Sequence, residues 1–306
     1  MATGAQAVKT AFFVNLAIAF LKLGAAALTR SVGMAAEAVH SFADTGNQAL
    51  LLLGLKRSGK AADSSHPFGY GKEEYFWSFI VAMILFILGS VYSTYEGIHK
   101  LLHPEPLQYV YVNFIILGIG VALEGYSWYV AKKAIGEGPL SGVIKKLVES
   151  HDANTVVVFV EDSGALVGLF LALIGNCLAY FLNNPAYDAI ASIIIGMLLF
   201  VIAIFLANEM RKLLVGERIS DESIAAVKRI ITAHPEVKAV GDIKSMHIGS
   251  RSSIIAAEVD FTDTLRDIEI QTIKAAIKKE IKLAVPEATH IYLTLSWQDI
   301  NRGNEG

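Results

Sequence analysis

Between residues 189 and 208 the sequence reads AIASIIIGMLLFVIAIFLAN, twenty consecutive residues without a charged side chain. A helix needs about 20 mostly apolar residues to cross the hydrocarbon core of a bilayer, so this stretch predicts a transmembrane helix. Five further stretches meet the same criterion. The six predicted spans are residues 9–29, 32–55, 75–98, 108–131, 153–181 and 187–208.

The charged residues are distributed unevenly along the 306-residue chain. Residues 1–208 carry 26 charged side chains, whereas the remaining 98 residues carry 29. We therefore predict a six-helix transmembrane bundle in residues 1–212 and a soluble domain in residues 213–306. Only 18% of the chain is charged, against roughly 25% in an average soluble domain, which argues against an ordinary soluble enzyme. A net charge of −3 gives no reason to expect a nucleic-acid partner.

The second part of the chain alternates between helical and strand patterns. Residues 222–233 and 266–284 have apolar side chains at helical spacing, whereas residues 253–261 and 289–297 alternate apolar with polar side chains, which is typical of half-buried strands. Residues 237–248 also favour a strand. The order α-β-β-α-β predicts a small α+β domain of the ferredoxin-like type.

The basic residues predict how the bundle is oriented. Lys and Arg concentrate in the loops on the cytoplasmic side of a membrane protein. Here they follow the second, fourth and sixth spans, so we expect both termini and the soluble domain to be cytoplasmic. The residues are Lys56, Arg57, Lys60, Lys72, Lys132, Lys133, Lys145, Lys146, Arg211 and Lys212.

Two predicted spans carry polar side chains at a depth where ionisable groups are rare. His40 and Asp44 in the second span are four residues apart and share one helix face, and Asn47 lies one turn further along. The fifth span carries Glu161 and Asp162. Imidazole and carboxylate groups bind Zn²⁺, and ionisable groups at this depth indicate function. A metal site shared by the two spans is one interpretation, and a structural hydrogen bond is the other.

Adjacent helical residues point about 100° apart, so only one of Glu161 and Asp162 can point directly at the second span. The other faces a cavity, a proton path or a different helix. Glu124 in the fourth span is also ionisable. It is either a proton carrier or a structural partner of Lys22 or Asn15.

The loop before the third span contains a second pair of metal-binding residue types. Asp63 and His66 lie just before a turn that contains Pro67, Gly69 and Gly71. They could bind an ion at the cytoplasmic mouth of the bundle. Alternatively, Asp63 caps a polar turn.

Three sequence motifs together resemble those of the cation diffusion facilitator family. They are Ala38-Val39-His40-Ser41-Phe42-Ala43-Asp44, then His66-Pro67-Phe68-Gly69-Tyr70-Gly71-Lys72, and Tyr187-Asp188-Ala189-Ile190-Ala191-Ser192-Ile193-Ile194-Ile195-Gly196. With the six spans and the α-β-β-α-β tail, the resemblance covers nearly the whole chain. It implies a homodimeric antiporter in a lipid bilayer that moves a divalent transition metal out of the cytoplasm in exchange for protons.

The family's transport site uses two residues one turn apart in each of the second and fifth spans. Carried over, these are His40 and Asp44, then Val158 and Asp162. Val158 stands where His is common and cannot bind a metal, which makes Glu161, Asn47 or water the substitute ligand. The chain is most similar to the branch that includes zinc transporter nine of animals. The family also implies metal-binding His in the cytoplasmic domain, but His234, His247 and His290 do not cluster in this sequence.

We therefore expect a proton-coupled exporter of Zn²⁺ in the plasma or inner membrane, with the metal as cargo and no other cofactor. A carboxylate-rich site also admits Mn²⁺, Fe²⁺ or Co²⁺. The sequence has no G-x-x-x-x-G-K-[ST] loop for ATP and no H-E-x-x-H motif of a metalloenzyme. A membrane metalloenzyme, a metal sensor that does not transport, and a passive channel are the other classes considered.

Overall fold

The structure is a computed structural model that describes residues 4–29, 32–104, 110–136 and 152–295. Within these ranges it does not describe the side chains of residues 4, 25, 26, 28, 29, 32–40, 43, 110, 112 and 113. Lys145 and Lys146, which contribute to the predicted orientation, lie outside the described residues. So do residues 296–297 of the last predicted strand.

The first of two compact units comprises Met1–Lys60 and Glu73–Arg211 and is built from long helices. A π-helical segment, Leu85–Val91, joins α3 to α4, so Glu73–Leu102 is one continuous helical rod. The helices are α1 (Gly4–Thr29), α2 (Val32–Ser58), α3 (Glu73–Ile84), α4 (Tyr92–Leu102), α5 (Val110–Ile135), α6 (Ala153–Phe181) and α7 (Ala186–Val215).

Five helical stretches in the described part of the chain are long and apolar enough to cross a membrane. They are Ala5–Gly24, Glu73–Leu102, Phe114–Ile135, Ala153–Phe181 and Ala186–Val215. The sixth predicted span, α2, has 27 residues and is about 40 Å long at 1.5 Å per residue, which suffices to cross the bilayer. Its many polar side chains make it less apolar than the other five. Six spans therefore stay a prediction.

Two of the long helical segments pack closely where glycine replaces a side chain. A Cβ on Gly196 of α7 would lie 2.8 Å from the backbone nitrogen of Thr94 in α4. A Cβ on Gly97 would lie 2.9 Å from the carbonyl oxygen of Ala189. Because lipid gives no hydrophobic drive between helices, membrane helices associate largely through close van der Waals packing, which small residues allow.

The second compact unit comprises Ala61–Lys72 and Lys212–Gly306. Its elements follow the predicted order α-β-β-α-β, and its sheet has the strand order β1-β2-β3. Strand β1 pairs antiparallel with β2, and β2 pairs parallel with β3. The elements are α8 (Asp221–Thr232), β1 (Val237–Gly249), β2 (Ser252–Phe261), α9 (Asp267–Ala284) and β3 (Ala288–Leu295).

The core of this unit lies between the sheet and its two helices. Alternate residues of β2 are buried, as the sequence pattern predicts, and Ile255 and Val259 are among them. They pack in one cluster with Ile277 and Ile281 of α9 and Val227 of α8. This small sheet domain has the predicted element order, while its assignment to the ferredoxin-like type stays a prediction.

The loop that follows α2 belongs to the second unit. Lys72 donates a hydrogen bond from Nζ to the carbonyl oxygen of Leu214 at 3.1 Å. The rings of Phe68 and His290 meet edge to face with their centroids 5.2 Å apart. Gly71 lies against the carbonyl oxygen of Ile248 so closely that a side chain there would collide with the backbone.

Candidate metal centre

The polar face of α2 contacts α6 through one carboxylate. Asn47 and Gln48 are buried, with 3% and 0% of their surface exposed. Gln48 donates a hydrogen bond from Nε2 to Oε2 of Glu161 at 2.8 Å, and Asn47 donates from Nδ2 to Oε1 at 3.4 Å. Glu161 is therefore the member of the acidic pair that points towards α2.

Asp162 points towards a different helix. Its carboxylate accepts a hydrogen bond from Ser127 Oγ of α5 at 2.7 Å, and both residues are buried. The two adjacent carboxylates therefore point at two different helices, as the angle of about 100° between neighbouring helical residues predicts. The sequence did not indicate which of the two faces α2, because that depends on how α6 is rotated in the bundle.

Two more carboxylates lie within electrostatic range of this pair. Glu161 interacts with Asp44 of α2 and with Glu124 of α5. Glu124 also interacts with Asp162, Asp44 and Lys22 of α1. Sequence reasoning treated Glu124 separately from the site, but the structure brings it to the same cluster of carboxylates. Lys22 is also its neighbour, as the structural interpretation of Glu124 expected.

Gln48 and Ser127 are the site residues that sequence reasoning missed. Each follows a recognised residue at helical spacing: Gln48 lies four residues after Asp44, and Ser127 lies three residues after Glu124. Polar residues at that spacing within apolar helices are the signal that could have found them.

A second polar contact supports the α5–α6 side of the site. Trp128 donates a hydrogen bond from Nε1 to Ser163 Oγ at 2.9 Å, and Ser163 in turn donates to the carbonyl oxygen of Phe159 at 2.6 Å. The Trp128 and Phe159 rings stack with centroids 5.7 Å apart. These contacts fix α5 beside α6 next to Asp162.

The imidazole of His40 lies outside the described side chains, although its backbone belongs to α2. Among the side chains that the structure does describe, no three His, Cys, Asp or Glu converge closely enough to hold a metal ion. Val158 is fully buried one turn before Asp162. The described part of the centre thus consists of carboxylates together with carboxamide and hydroxyl groups.

The loop residues Asp63 and His66 form a capped turn. Oδ1 of Asp63 accepts hydrogen bonds from the backbone nitrogens of Ser65 and His66 at 3.0 and 2.9 Å. Oδ2 accepts from Tyr70 Oη at 2.7 Å. This is the geometry of the alternative in which Asp63 closes a polar turn. A metal bound there would compete with these hydrogen bonds.

The long apolar helices and the acidic side chains between them define a multi-pass membrane protein with a polar interior site. The sequence profile of the cation efflux transmembrane domain matches residues 8–215. The chain belongs to the cation efflux family, also called the cation diffusion facilitator family, which confirms the resemblance drawn from its motifs. The family is one of transporters.

Several relatives that the chain resembles are named for metals or cations. It is 35% identical over 259 residues to metal tolerance protein C4 of Arabidopsis thaliana, covering 84% of this chain and 57% of the relative. It is 30% identical over 301 residues to the mitochondrial proton-coupled zinc antiporter SLC30A9 of Homo sapiens, covering 96% and 53%. The chain therefore spans about half the length of these relatives.

A bacterial relative is covered more completely. The probable cation efflux system protein Rv2025c of Mycobacterium tuberculosis is 26% identical over 289 residues, covering 94% of this chain and 82% of the relative.

Proposed function

We propose that the protein exports a divalent transition metal, with Zn²⁺ as the first choice, in exchange for protons by alternating access. The observation that carries the proposal is the hydrogen bond from Gln48 to Glu161, which brings the polar face of α2 to the acidic pair of α6 inside an apolar bundle. The name of the human relative, a proton-coupled zinc antiporter, supports the choice of cargo.

The proposed metal ligands are His40 and Asp44 of α2 with Glu161 and Asp162 of α6, and Asn47 is a further candidate. Glu161 takes the place of the imidazole that family members commonly carry at Val158. Its position beside Asn47 supports this substitution. Ser127 positions Asp162, and Gln48 positions Glu161, through their hydrogen bonds.

Protons and metal compete for these carboxylates. A metal binds the deprotonated ligands, so metal binding releases protons. Neighbouring carboxylates repel one another, and either bound protons or a divalent cation relieve that repulsion. Exporting Zn²⁺ against an inside-negative potential costs about 4.6 kcal/mol per 100 mV, and each returning proton recovers about half of that. Coupling to protons therefore removes the need for ATP.

The remaining features of the proposal concern topology and assembly. We propose six spans with both termini on the cytoplasmic side, a homodimer whose second unit contributes to pairing, and location in the plasma or inner membrane. The name of the human relative places that protein in mitochondria, so an organelle membrane is the alternative location. For the loop pair Asp63 and His66, the capped turn is favoured over a second metal.

The direct test is Zn²⁺ flux in proteoliposomes with an imposed pH gradient. We expect wild-type protein to transport Zn²⁺ and the variants Asp44→Ala and Asp162→Ala to be inactive. Wild-type flux in both variants would remove the proposed site. Glu96→Ala, at a partly exposed carboxylate of α4, serves as the matched control and keeps its flux.

Cargo choice and the competing functions are distinguished in the same vesicles. Zn²⁺, Mn²⁺, Fe²⁺ and Co²⁺ are compared for their ability to drive proton movement, and we expect Zn²⁺ to be fastest. A sensor would bind metal without flux, and a passive channel would conduct without proton counterflow.

A further inference from the structure

A buried carboxylate outside the proposed metal centre, Glu74 of α3, is held by Asn154 of α6, which lies two helical turns from Glu161 of that centre. Asn154 donates a hydrogen bond from Nδ2 to Oε1 of Glu74 in α3 at 2.7 Å. Glu74 is 3% exposed and Asn154 is 1% exposed. Asn154 and Glu161 are seven residues apart, so they share one face of α6 at a separation of about 10.5 Å along its axis.

The two carboxylates are held in the same way. In each pair a carboxamide nitrogen donates to the carboxylate, from Gln48 to Glu161 and from Asn154 to Glu74. In each pair the carboxamide oxygen is buried and, within the described part of the chain, has no hydrogen-bond partner. A carboxamide oxygen is only an acceptor, so its missing partner is a cation or a hydrogen-bond donor.

The hydroxyl of Ser78 is a third polar group to consider beside Glu74 and Asn154. Ser78 lies one turn after Glu74 on the buried face of α3, is 0% exposed, and its Oγ has no partner among the described residues. An unpartnered polar atom inside an apolar bundle is costly. Here one such atom belongs to the hydrogen-bond partner of Glu74 and another lies one helical turn after it, which indicates an occupant that supplies the missing contacts.

We propose that Glu74, Asn154 and Ser78 form a second cation site, at which the transported divalent ion binds with part of its water shell before it reaches the metal centre. This inference rests on the proposed function, because the proposed topology places the start of α3 on the cytoplasmic side. Val158 is fully buried between Asn154 and Asp162. It separates the two sites with an apolar layer.

The chemistry of the second site differs from that of the metal centre. Carboxylate, carbonyl and hydroxyl oxygens are hard ligands that suit Mg²⁺, Ca²⁺ and Mn²⁺ as well as Zn²⁺. Without an imidazole, the second site discriminates little between divalent cations. Selection then occurs at the deeper centre, where His40 belongs to the proposed ligand set.

The test titrates the full chain in detergent micelles with Mn²⁺ and follows the free ion by electron paramagnetic resonance. We expect two sites per protomer in the wild type. Glu74→Gln keeps the shape of the side chain and an oxygen for Asn154, but it removes the charge. It should weaken one of the two sites by about tenfold or more and leave the other in place. Glu161→Gln should weaken the complementary site.

Two further variants keep the experiment decisive. Glu73→Gln is the matched control, since the neighbouring Glu73 is partly exposed and accepts its hydrogen bond from Trp77; both sites should persist in it. Ser78→Ala places little burden on folding and should weaken the same site as Glu74→Gln. Unchanged Mn²⁺ binding in Glu74→Gln and Ser78→Ala would overturn the second site, whereas absence of Zn²⁺ flux in wild-type vesicles would instead overturn the proposed function.

Discussion

Gln48 and Glu161 join two helices across the apolar interior of the bundle, with Nε2 of Gln48 2.8 Å from Oε2 of Glu161. The two residues are 113 positions apart in the chain. Losing the donor would leave the side chain of Glu161 without this hydrogen-bond partner in an apolar surrounding, which costs free energy. The pair therefore ties the geometry of the candidate centre to the packing of α2 against α6.

Replacing Gln48 by Met tests this tie, because Met has a similar volume but no donor. We expect Gln48→Met to destabilise the protein by about 1–3 kcal/mol, the usual cost of an unsatisfied buried polar group. It should also raise the KM for Zn²⁺ in vesicles. Gln271→Met, at an exposed position of α9, is the control and should change neither quantity. A KM equal to that of the wild type would show that Gln48 does not position Glu161.

Val158 offers a test of ligand substitution. Val158→His introduces an imidazole one turn before Asp162, which should raise the affinity for Zn²⁺ relative to Mn²⁺, because imidazole favours Zn²⁺ over harder ions. The larger side chain costs about 1–3 kcal/mol in a packed interior. Equilibrium binding of both metals measures the ratio, and Val158→Ala serves as the packing control. An unchanged ratio in Val158→His would place this position away from the metal.

The contact between Gly196 and Thr94 predicts a steric effect. A Cβ at Gly196 would lie 2.8 Å from the backbone nitrogen of Thr94, so one helix must move. We expect Gly196→Ala to lower the thermal stability in detergent by about 1–3 kcal/mol. Gly118→Ala in α5 is the control, because a Cβ there meets nothing within 4 Å. Equal melting temperatures for the two variants would contradict the close packing of α4 and α7.

Glu269 predicts a pH dependence at the start of α9. Hydrogen bonds from the side chain and the backbone nitrogen of Arg266 lower the pKa of Glu269 below its ordinary value of 4.5. A lowered folded-state pKa means that its stabilising contribution is present above the unfolded pKa and is lost as the pH falls through the folded value. Glu269→Gln should therefore loosen this helix start at neutral pH and have no effect in acid.

Hydrogen exchange measured by mass spectrometry checks this effect. Peptides that cover the first turn of α9 should exchange faster in Glu269→Gln than in the wild type at pH 6, after correction for the intrinsic rate. The difference should disappear at a pH below the folded pKa. Peptides from α8 provide the internal control. A difference that persists in acid would assign the effect to packing instead of charge.

The sequence predicts the long helices well because a helix that crosses the bilayer needs about 20 consecutive, mostly apolar residues. Helix α7 continues past its predicted end at residue 208 to Val215, because Glu209, Arg211 and Lys212 lower the hydropathy without disfavouring a helix. The hydropathy signal is weakest at α2, since the polar residues proposed as metal ligands also lower its apolar character. The same polar residues that suggest a metal site in α2 therefore make α2 harder to recognise as a membrane span.

The candidate site is predicted in part. His40, Asp44, Glu161 and Asp162 stand out because ionisable residues are costly in a membrane. The partners Gln48 and Ser127 are uncharged and give a weaker signal. The direction of each acidic side chain depends on the rotation of α6, which is set by its contacts with α2 and α5 and not by its own sequence. Glu74 and Asn154 are 80 positions apart in the chain. Their pairing also depends on how the helices pack, so the sequence alone did not predict it.

The most direct measurement of the central claim is the number of protons released when one Zn²⁺ binds to the purified protein. Isothermal titration calorimetry in buffers of different ionisation enthalpy gives this number at equilibrium, without transport. We predict that wild-type protein releases protons on binding Zn²⁺ and that the double variant Asp44→Asn with Asp162→Asn loses both the release and the tight binding. Tight Zn²⁺ binding with no proton release in the wild type would contradict competition between metal and protons for one site.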